Sequence, residues 1–533
     1  MNIKNIPFQD TGFFSRIMCD YIALEPGLKP FYNRFPSIHN FRNQIDEKRV
    51  SIEVSSSQRQ RLVSVLKEQY RNIETSELTK TNIQALLKSN TFTITTGHQL
   101  NLFTGPLYFL YKIISTINLC ERLSLQFPEE NFVPVYWMAT EDHDFEEINY
   151  FNFEGKKVQW NSVQTGGVGR FKTDGLDDVL EEFSKHMGTS KNARYLKDLF
   201  QEAYLKHNSL AEATRYIANK LFEADGLVVI DADDKTLKKE FIPYMEYELL
   251  HQTSYNEVKK TVSKLEEESY GIQVNPREIN LFYLTDNLRE RIIFENESYG
   301  VMNTSIRWTK KDILNEVQQH PERFSPNVIM RPLYQEVILP NLCYIGGGGE
   351  LAYWMQLKDY FDKVNVTFPI LLLRNSVQVI TKKNERKLEK LNVSHKELFM
   401  NQHELITKKT LENSEIAVDF FEQKQVLKEQ FDMLRQVANQ TDKSFIGAVN
   451  AQEKKQIKGL DTLEKRLLRA EKRKHADLVD RIVLLQNTIL PNQSLEERQR
   501  NFSEYYLEYG DMFIDVLKDN LKPLQLQFTV LTL

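Results

Sequence analysis

Five polar clusters, each at or just past a strand-like run or a glycine-rich turn, hold the side chains best suited to chemistry. The run Phe92-Thr93-Ile94-Thr95 breaks at Thr96-Gly97-His98-Gln99, and a helical pattern restarts near Pro106, after Thr104-Gly105 and just before Tyr108. Gly97 lets the backbone turn or approach a ligand without a side-chain clash. A strand, a glycine turn and a helix N-terminus together aim amide N–H groups and positive dipole at one spot, which favours an anion such as phosphate or carboxylate. The plainer alternative is an ordinary strand-to-helix turn, with His98 a hydrogen-bonded turn residue. A second apolar run, Phe132 to Ala139, delivers Glu141-Asp142-His143-Asp144. A third, Gly226 to Ile230, ends in Asp231-Ala232-Asp233. A fourth cluster joins Asn327 and Arg331 to the glycine run that ends Gly348-Gly349 before Glu350 and Tyr353, and a last strand, Pro369 to Leu373, presents Arg374 and Ser376. In open α/β sheets ligands sit beyond the carboxyl ends of the strands, where most of these clusters fall.

Asp142, His143 and Asp144 are suitable metal ligands by type. Adjacent residues on an extended segment point in opposite directions, however, and no HExxH or comparable spacing occurs. The expectation is hydrogen bonding to a polar substrate, with no metal held by the protein beyond magnesium carried in with a nucleotide.

The elements that must position these groups read as an α/β chain of several parts. At 533 residues it is too long for one ordinary core. The expected divisions are a helical region with the first half of the core (1–148), an insertion of short strands at 150–160 and 166–172 followed by helices (149–213), more core (214–272), a second insertion (273–323), completed core (324–384), a helical domain (385–510) and a closing segment (511–533). In the helical domain Phe420, Leu427, Leu434, Thr441 and Ala448 recur every seven residues, interleaved with Phe431, Ala438 and Phe445. After a break near 447–450 a second seam runs through Leu460, Leu463, Leu467 and Ala470, slips at Lys474 and continues through Leu478, Ile482 and Leu485. Two such helices predict an antiparallel coiled-coil hairpin, and large residues on its flank predict a homodimer. Ser394 with Glu397 and Ser494 with Glu497 have the spacing of capping boxes.

A net charge of -5 gives no general attraction to nucleic acid or to an anionic membrane. Cys19, Cys120 and Cys343 are far apart and odd in number, and no apolar run reaches the ~18 residues of a spanning helix. The reading is a cytoplasmic protein with reduced thiols.

Gly97-His98-Gln99, Phe103 to Tyr108, Val133-Pro134-Val135 with Glu141 to Phe145, Asp231 to Asp234, Phe324 to Asn327, Arg331-Pro332 and Gly349 to Tyr353, in this order, resemble the cysteine-adding ligase family of bacillithiol biosynthesis, the BshC family. That resemblance implies a Rossmann-like nucleotide-binding core similar to class I aminoacyl-tRNA synthetases, two connecting-peptide insertions and a dimerising coiled coil. It implies joining of the cysteine carboxyl group to the amine of glucosaminyl malate, with ATP or another nucleotide activating the carboxylate. His98, Asp142 and His143 become the catalytic candidates, the last two to orient or deprotonate the amine, and Thr96, Gly97, Gln99, Thr104, Gly105, Tyr108, Glu141, Asp144, Asp231, Asp233, Asn327, Arg331, Gly348, Gly349, Glu350, Tyr353, Arg374 and Ser376 the binding ones. Thr95 stands where the synthetase His-x-Gly-His pattern has its first histidine, and Arg374-Asn375-Ser376 where a Lys-Met-Ser-Lys-Ser motif would be. Activation through a phosphate, and a cysteine donor other than free cysteine, therefore stay open, as do a non-catalytic nucleotide or sugar binder and a metal-dependent hydrolase.

Overall fold

The computed structural model describes residues 2–51, 55–441 and 443–533. At its centre is a five-stranded sheet built, in chain order, from β1 (Thr91–His98), β2 (Asn131–Met138), β3 (Val228–Asp231), β4 (Asn341–Gly346) and β5 (Ile370–Leu373). The strands lie side by side as β5-β4-β1-β2-β3, and every pairing is parallel. This is the doubly wound Rossmann order, and its direction reverses between β1 and β4. The crevice at such a reversal, beyond the carboxyl ends of the two strands, is where open α/β sheets bind ligands.

β2, β3 and β5 are the continuous apolar runs of a sheet covered on both faces. β1 is buried throughout although half of it is threonine. Its hydroxyls reach across to β4: Thr93 and Thr95 donate to Asn341 Oδ1 at 3.2 and 2.8 Å, and Thr96 to the Ile345 carbonyl at 2.8 Å. β4 is not among the strands that the sequence pattern predicts, yet it is the strand that completes the crevice.

The helix after β1, α1 (Tyr108–Gln126), buries Phe109, Leu110, Tyr111, Ile113, Ile114 and Ile117 as its periodicity predicts. The approach to it differs from a simple glycine turn. Phe103, Thr104 and Gly105 all take positive φ (47°, 69° and 64°), and the loop is tied to the C-terminal part of the chain by Asn501 Nδ2, which donates to the carbonyls of Phe103 and Gly105. The Leu107 amide donates to the Arg500 carbonyl at 2.8 Å, so part of the positive helix end expected to receive an anion is already occupied by protein.

The first insertion is a hairpin, Tyr150–Phe153 with Lys156–Gln159, followed by three helices. The expected strand at 166–172 is instead a 3-10 turn, Val168–Arg170. Gly166 sits at φ 97°, and a Cβ on Gly169 would lie 2.5 Å from Thr140, so the segment folds tightly onto the loop after β2. The Val168 and Gly169 amides donate to the carbonyls of Asp142 and Thr140. Helix Leu210–Phe222 runs through the boundary expected at 213, and Lys382–Lys390 through that at 384. The second insertion supplies four antiparallel strands, joined by Phe324–Pro326. The closing strand, Phe528–Thr532, lies between Asn2–Ile6 and Val377–Ile380.

The helical domain contains the expected hairpin. Helices α2 (Phe421–Ala438) and α3 (Lys443–Lys474) run antiparallel, since Lys424 reaches Asp461 and Glu464 while Arg435 reaches Glu453. The first ends at Ala438 and the second begins at Lys443, ahead of the break expected at 447–450, because Gly447 and Asn450 are absorbed into α3 at the modest cost of interior glycine. The shift changes the phase of the seam: Phe431, Ala438 and Val449 are buried, whereas Leu434 and Phe445 face outward. The second helical seam is interrupted at His475, next to the predicted slip, and Ala476–Ile489 continues it into the core with Ile482 and Leu485 buried. Ser394 and Glu397 form their capping box; Ser494 and Glu497 do not, because Glu497 turns inward to a buried arginine described below. Among the described residues no helix is long and apolar enough to cross a membrane.

Candidate functional site

The carboxyl ends of β1 and β4 carry a connected set of charged and aromatic groups. Lys112, from the first turns of α1, is 3% exposed; it donates to the Gly97 carbonyl at 2.7 Å and pairs with Glu350 at 2.6 Å. Glu350 belongs to α4 (Gly348–Met355), where it also accepts from the Gly347 amide at 3.0 Å and the Tyr344 hydroxyl at 2.7 Å. Burial opposes its charge, but Lys112 and these donors hold its carboxyl below the usual range. The ends of the two strands are thereby tied through one ion pair.

Arg331 stands beside it, at the start of α5 (Arg331–Ile338). Its guanidinium lies 5.6 to 5.9 Å from the ring centres of Tyr344, Trp137 and Trp354 and donates to Gln335 and Tyr353. No carboxylate within ion-pairing distance of it occurs among the described residues. A cation held by aromatic faces, without a counter-ion and half-buried, is a ready partner for an anion. The Gly348 and Gly349 amides, in the first turn of α4, lack intrahelical acceptors by position. A Cβ on Gly97 would come within 3.1 Å of the Tyr344 hydroxyl and 3.8 Å of Arg331, so the glycine keeps this spot open.

His98 is more enclosed than a ligand-binding histidine would need to be. It packs edge-on to Tyr108, touches Phe109, bonds the Thr104 backbone, and burial pushes its pKa down to about 3. It is neutral at physiological pH and brings no positive charge to an anion. Thr96 is taken up in the β1–β4 contact. Arg374 and Ser376, expected to bind ligand, face Glu497 instead: Arg374 grips its carboxylate with two nitrogens at 3.0 and 2.7 Å, and the Ser376 hydroxyl adds a third contact at 3.3 Å. Arg374 also lies over the Tyr108 ring at 5.1 Å. Asn327 caps the approach to α5 through the Ile329 and Met330 amides and bonds Asn280.

A second cluster lies past β2 and β3. Gln99 links it to the first by donating to Asp142 at 3.0 Å. Asp142 also accepts from the His143 amide at 2.8 Å; although burial acts against the charge, bonds from His143 and Gln99 and the nearby Arg289 hold its pKa at about 2. Arg289, from the second insertion, lies 2.6 Å from His143 Nδ1. That nitrogen must accept, so the neutral ring carries its proton on Nε2. Burial pushes Glu141 up to about 7 despite its ion pair with the fully buried Lys238. Asp233 binds Arg170 of the first insertion through both oxygens, and Asp231 accepts from Thr140 at 2.5 Å, so both brace the loop after β2. Asp144 is exposed.

Because residues 139–144 form a turn rather than an extended segment, ligand atoms of Asp142, His143 and Asp144 converge to within 4.8 Å, contrary to the divergence expected from adjacency. Arg289 nevertheless occupies His143 Nδ1 and places a positive charge beside the group. Asp142, with a depressed pKa, stabilises the fold above the ordinary carboxylate pKa near ~3.9, and that contribution is lost as pH falls toward 2. Asp142→Asn is expected to remove this part of the acid dependence; urea unfolding of both proteins at pH 5 and pH 3 measures it, and an unchanged difference between the two pH values would contradict it.

Lys112, Tyr344, Arg289 and Lys238 were not among the site residues expected from the sequence, and Glu497 was expected only to cap a helix. Lys112 alone left a visible signal, a lysine within the apolar face of a buried helix.

Comparison with known proteins adds a family. Residues 1–375 match the model described as bacillithiol biosynthesis BshC, N-terminal Rossmann-like domain, and residues 377–533 that described as bacillithiol biosynthesis BshC, C-terminal coiled-coil domain. A Flavobacterium johnsoniae protein named "Putative cysteine ligase BshC" is 57% identical over 528 residues, covering 99% of each chain. Proteins of the same name from Flavobacterium psychrophilum and Cytophaga hutchinsonii are 57% and 40% identical over 526 residues, covering 99% and 98% of this chain and 98% and 97% of theirs. A solved structure described as a "putative arginyl t-RNA synthetase" from Campylobacter jejuni covers 84% of this chain and 98% of its own at 11% identity, with a TM-score of 0.20, too low to argue from.

Proposed function

The chain belongs to the BshC family of bacillithiol biosynthesis, and from that membership we propose that it is a cysteine ligase forming the amide bond between the carboxyl group of cysteine, or of a cysteine donor, and the amine of glucosaminyl malate. The observation that carries this reading is Arg331, a guanidinium without a counter-ion at the strand-order reversal, beside the open Gly97 and the first amides of α4. Anionic groups of the reactants fit there. The same residues fit the phosphates of a nucleotide, which when bound would supply the activation that amide formation requires.

Within that reading the chain's own groups divide the work. Lys112 and Glu350 fix the distance between the ends of β1 and β4. His98 backs the β1 turn from inside. Asp142, ionised and held near pKa 2, is a poor proton acceptor at neutral pH, since a general base works best with a pKa near the working pH. It orients the sugar or its ammonium instead, and His143 offers its Nε2–H to the same substrate.

Gly97→Val is expected to drive a side chain against Tyr344 and Arg331 and abolish binding while the sheet stays folded. Calorimetric titration with ATP and separately with glucosaminyl malate tests it; the same affinities in the variant would remove this crevice from the binding site.

The hairpin leaves Phe421 64% exposed and Met433 61%, with Val426, Val437 and Leu463 also above half. Burial of such area is favourable at about 25 cal/mol per Å² before association costs, and we infer that a second copy covers it. Light scattering is expected to give a dimer for the intact chain and a monomer once residues 421–474, the hairpin alone, are deleted. A monomeric intact chain at micromolar concentration, or a dimeric deletion, would contradict the inference.

A further inference from the structure

Beneath the β1 turn lies a small cavity of about 10 Å³, walled by Phe109, Tyr136 and Tyr204 and lined by His98, Asn101, Thr104 and Thr214. These last four residues are 6 to 7% exposed, and each has one buried polar atom for which no partner occurs among the described residues: His98 Nε2, Asn101 Oδ1, Thr104 Oγ and Thr214 Oγ. Four such residues on one small space are unusual, because a buried polar group without a partner costs on the order of 1–3 kcal/mol.

The chemistry of the four atoms specifies what satisfies them. His98 is neutral and bonds the Thr104 backbone through its ring, which leaves Nε2 as a lone-pair acceptor. Asn101 spends its amide nitrogen on the Glu147 carbonyl at 3.3 Å, so its Oδ1 is also an acceptor. The two threonine hydroxyls can donate. Two acceptors and two donors match the two protons and two lone pairs of one water molecule, and the volume is close to the ~10–15 Å³ that a single water requires. A monovalent cation would meet the positive charges of Lys112 and Arg374, which already act on this imidazole.

We propose that the cavity is a site for one internal water, which donates to His98 Nε2 and Asn101 Oδ1, accepts from Thr104 and Thr214, and fixes His98 as its Nδ1–H tautomer. His98 is then a positioning residue: it holds the left-handed loop at 103–105 against the end of β1 and presents no N–H of its own to ligand. The inference stands on the cavity and its atoms and does not depend on the ligase reading.

A crystal structure of the full chain, with long-range proton–nitrogen spectra of histidine-labelled protein assigned through His98→Gln, tests it. One ordered water within hydrogen-bond distance of all four atoms is expected, with His98 in the Nδ1–H tautomer and not titrating between pH 5 and 8. Thr214→Val should lose the water and shift the His98 Nε2 resonance, and Thr214→Ser should restore both. A dry cavity, an Nε2–H tautomer, titration near pH 6.5, or an anomalous peak there after a thallium soak would each overturn the proposal.

Discussion

Arg331→Ala is expected to lower product formation by about tenfold to a hundredfold without unfolding the chain. A hydrogen bond from a charged donor contributes about 1.5–3 kcal/mol, and each 1.36 kcal/mol is about tenfold in rate. The guanidinium sits among three aromatic faces and bonds only neutral groups, Gln335 and Tyr353. An anionic reactant is therefore the one partner that would neutralise it. Arg331→Lys keeps the charge but loses the planar fork and its stacking, so it should recover only part of the loss. Steady-state rates with each reactant varied in turn check this, beside thermal melts showing that both variants remain folded. Full activity in Arg331→Ala would take Arg331 out of the site.

Glu497→Ala is expected to destabilise the chain by about 3–5 kcal/mol, the usual consequence of leaving one member of a buried ion pair alone. Arg374 is 3% exposed and Glu497 fully buried, and the carboxylate also accepts from the Val377 amide at 3.2 Å. The pair joins the end of β5 to the helical domain, across the junction between the two matched family regions. Arg374 in turn covers Tyr108, which packs on His98, so loosening the junction should also slow turnover. Urea unfolding of the single variants and of the double variant Arg374→Met with Glu497→Leu measures the pair. The double variant should be markedly more stable than either single one; simple addition of the two losses would show that the residues do not act together.

What the sequence discloses about this protein follows the strength of its local signals. β2, β3 and β5 are apolar runs, and α1 and the coiled-coil helices have sustained periodicity, so each was legible. β4 was not, because its polar first residue and the glycine run at its end mask a strand whose Asn341 makes sense only opposite the threonines of β1. The helix break after Ala438 was misplaced for a related reason: the glycine at 447 looks like a stop but faces solvent inside a long helix. The glycines of the crevice were legible as turns whose amides suit an anion, and Arg331 and Glu350 as binding residues through the family resemblance. Their division of labour was not, since Lys112, Tyr344 and Glu497 come from distant segments that only the tertiary fold brings together. The same holds for Arg374, whose position after a core strand suggested ligand binding and whose partner lies 123 residues further on.

The central claim, that this chain joins cysteine to glucosaminyl malate at the crevice between β1 and β4, is tested most directly by mass spectrometry of an anaerobic mixture of protein, cysteine, ATP and glucosaminyl malate. The account predicts a thiol whose mass is the sum of the two reactants less one water, formed by the intact protein and strongly reduced with Arg331→Ala. Binding of the reactants without that product, under any nucleotide or cysteine donor supplied, would contradict it and leave a binding protein in its place.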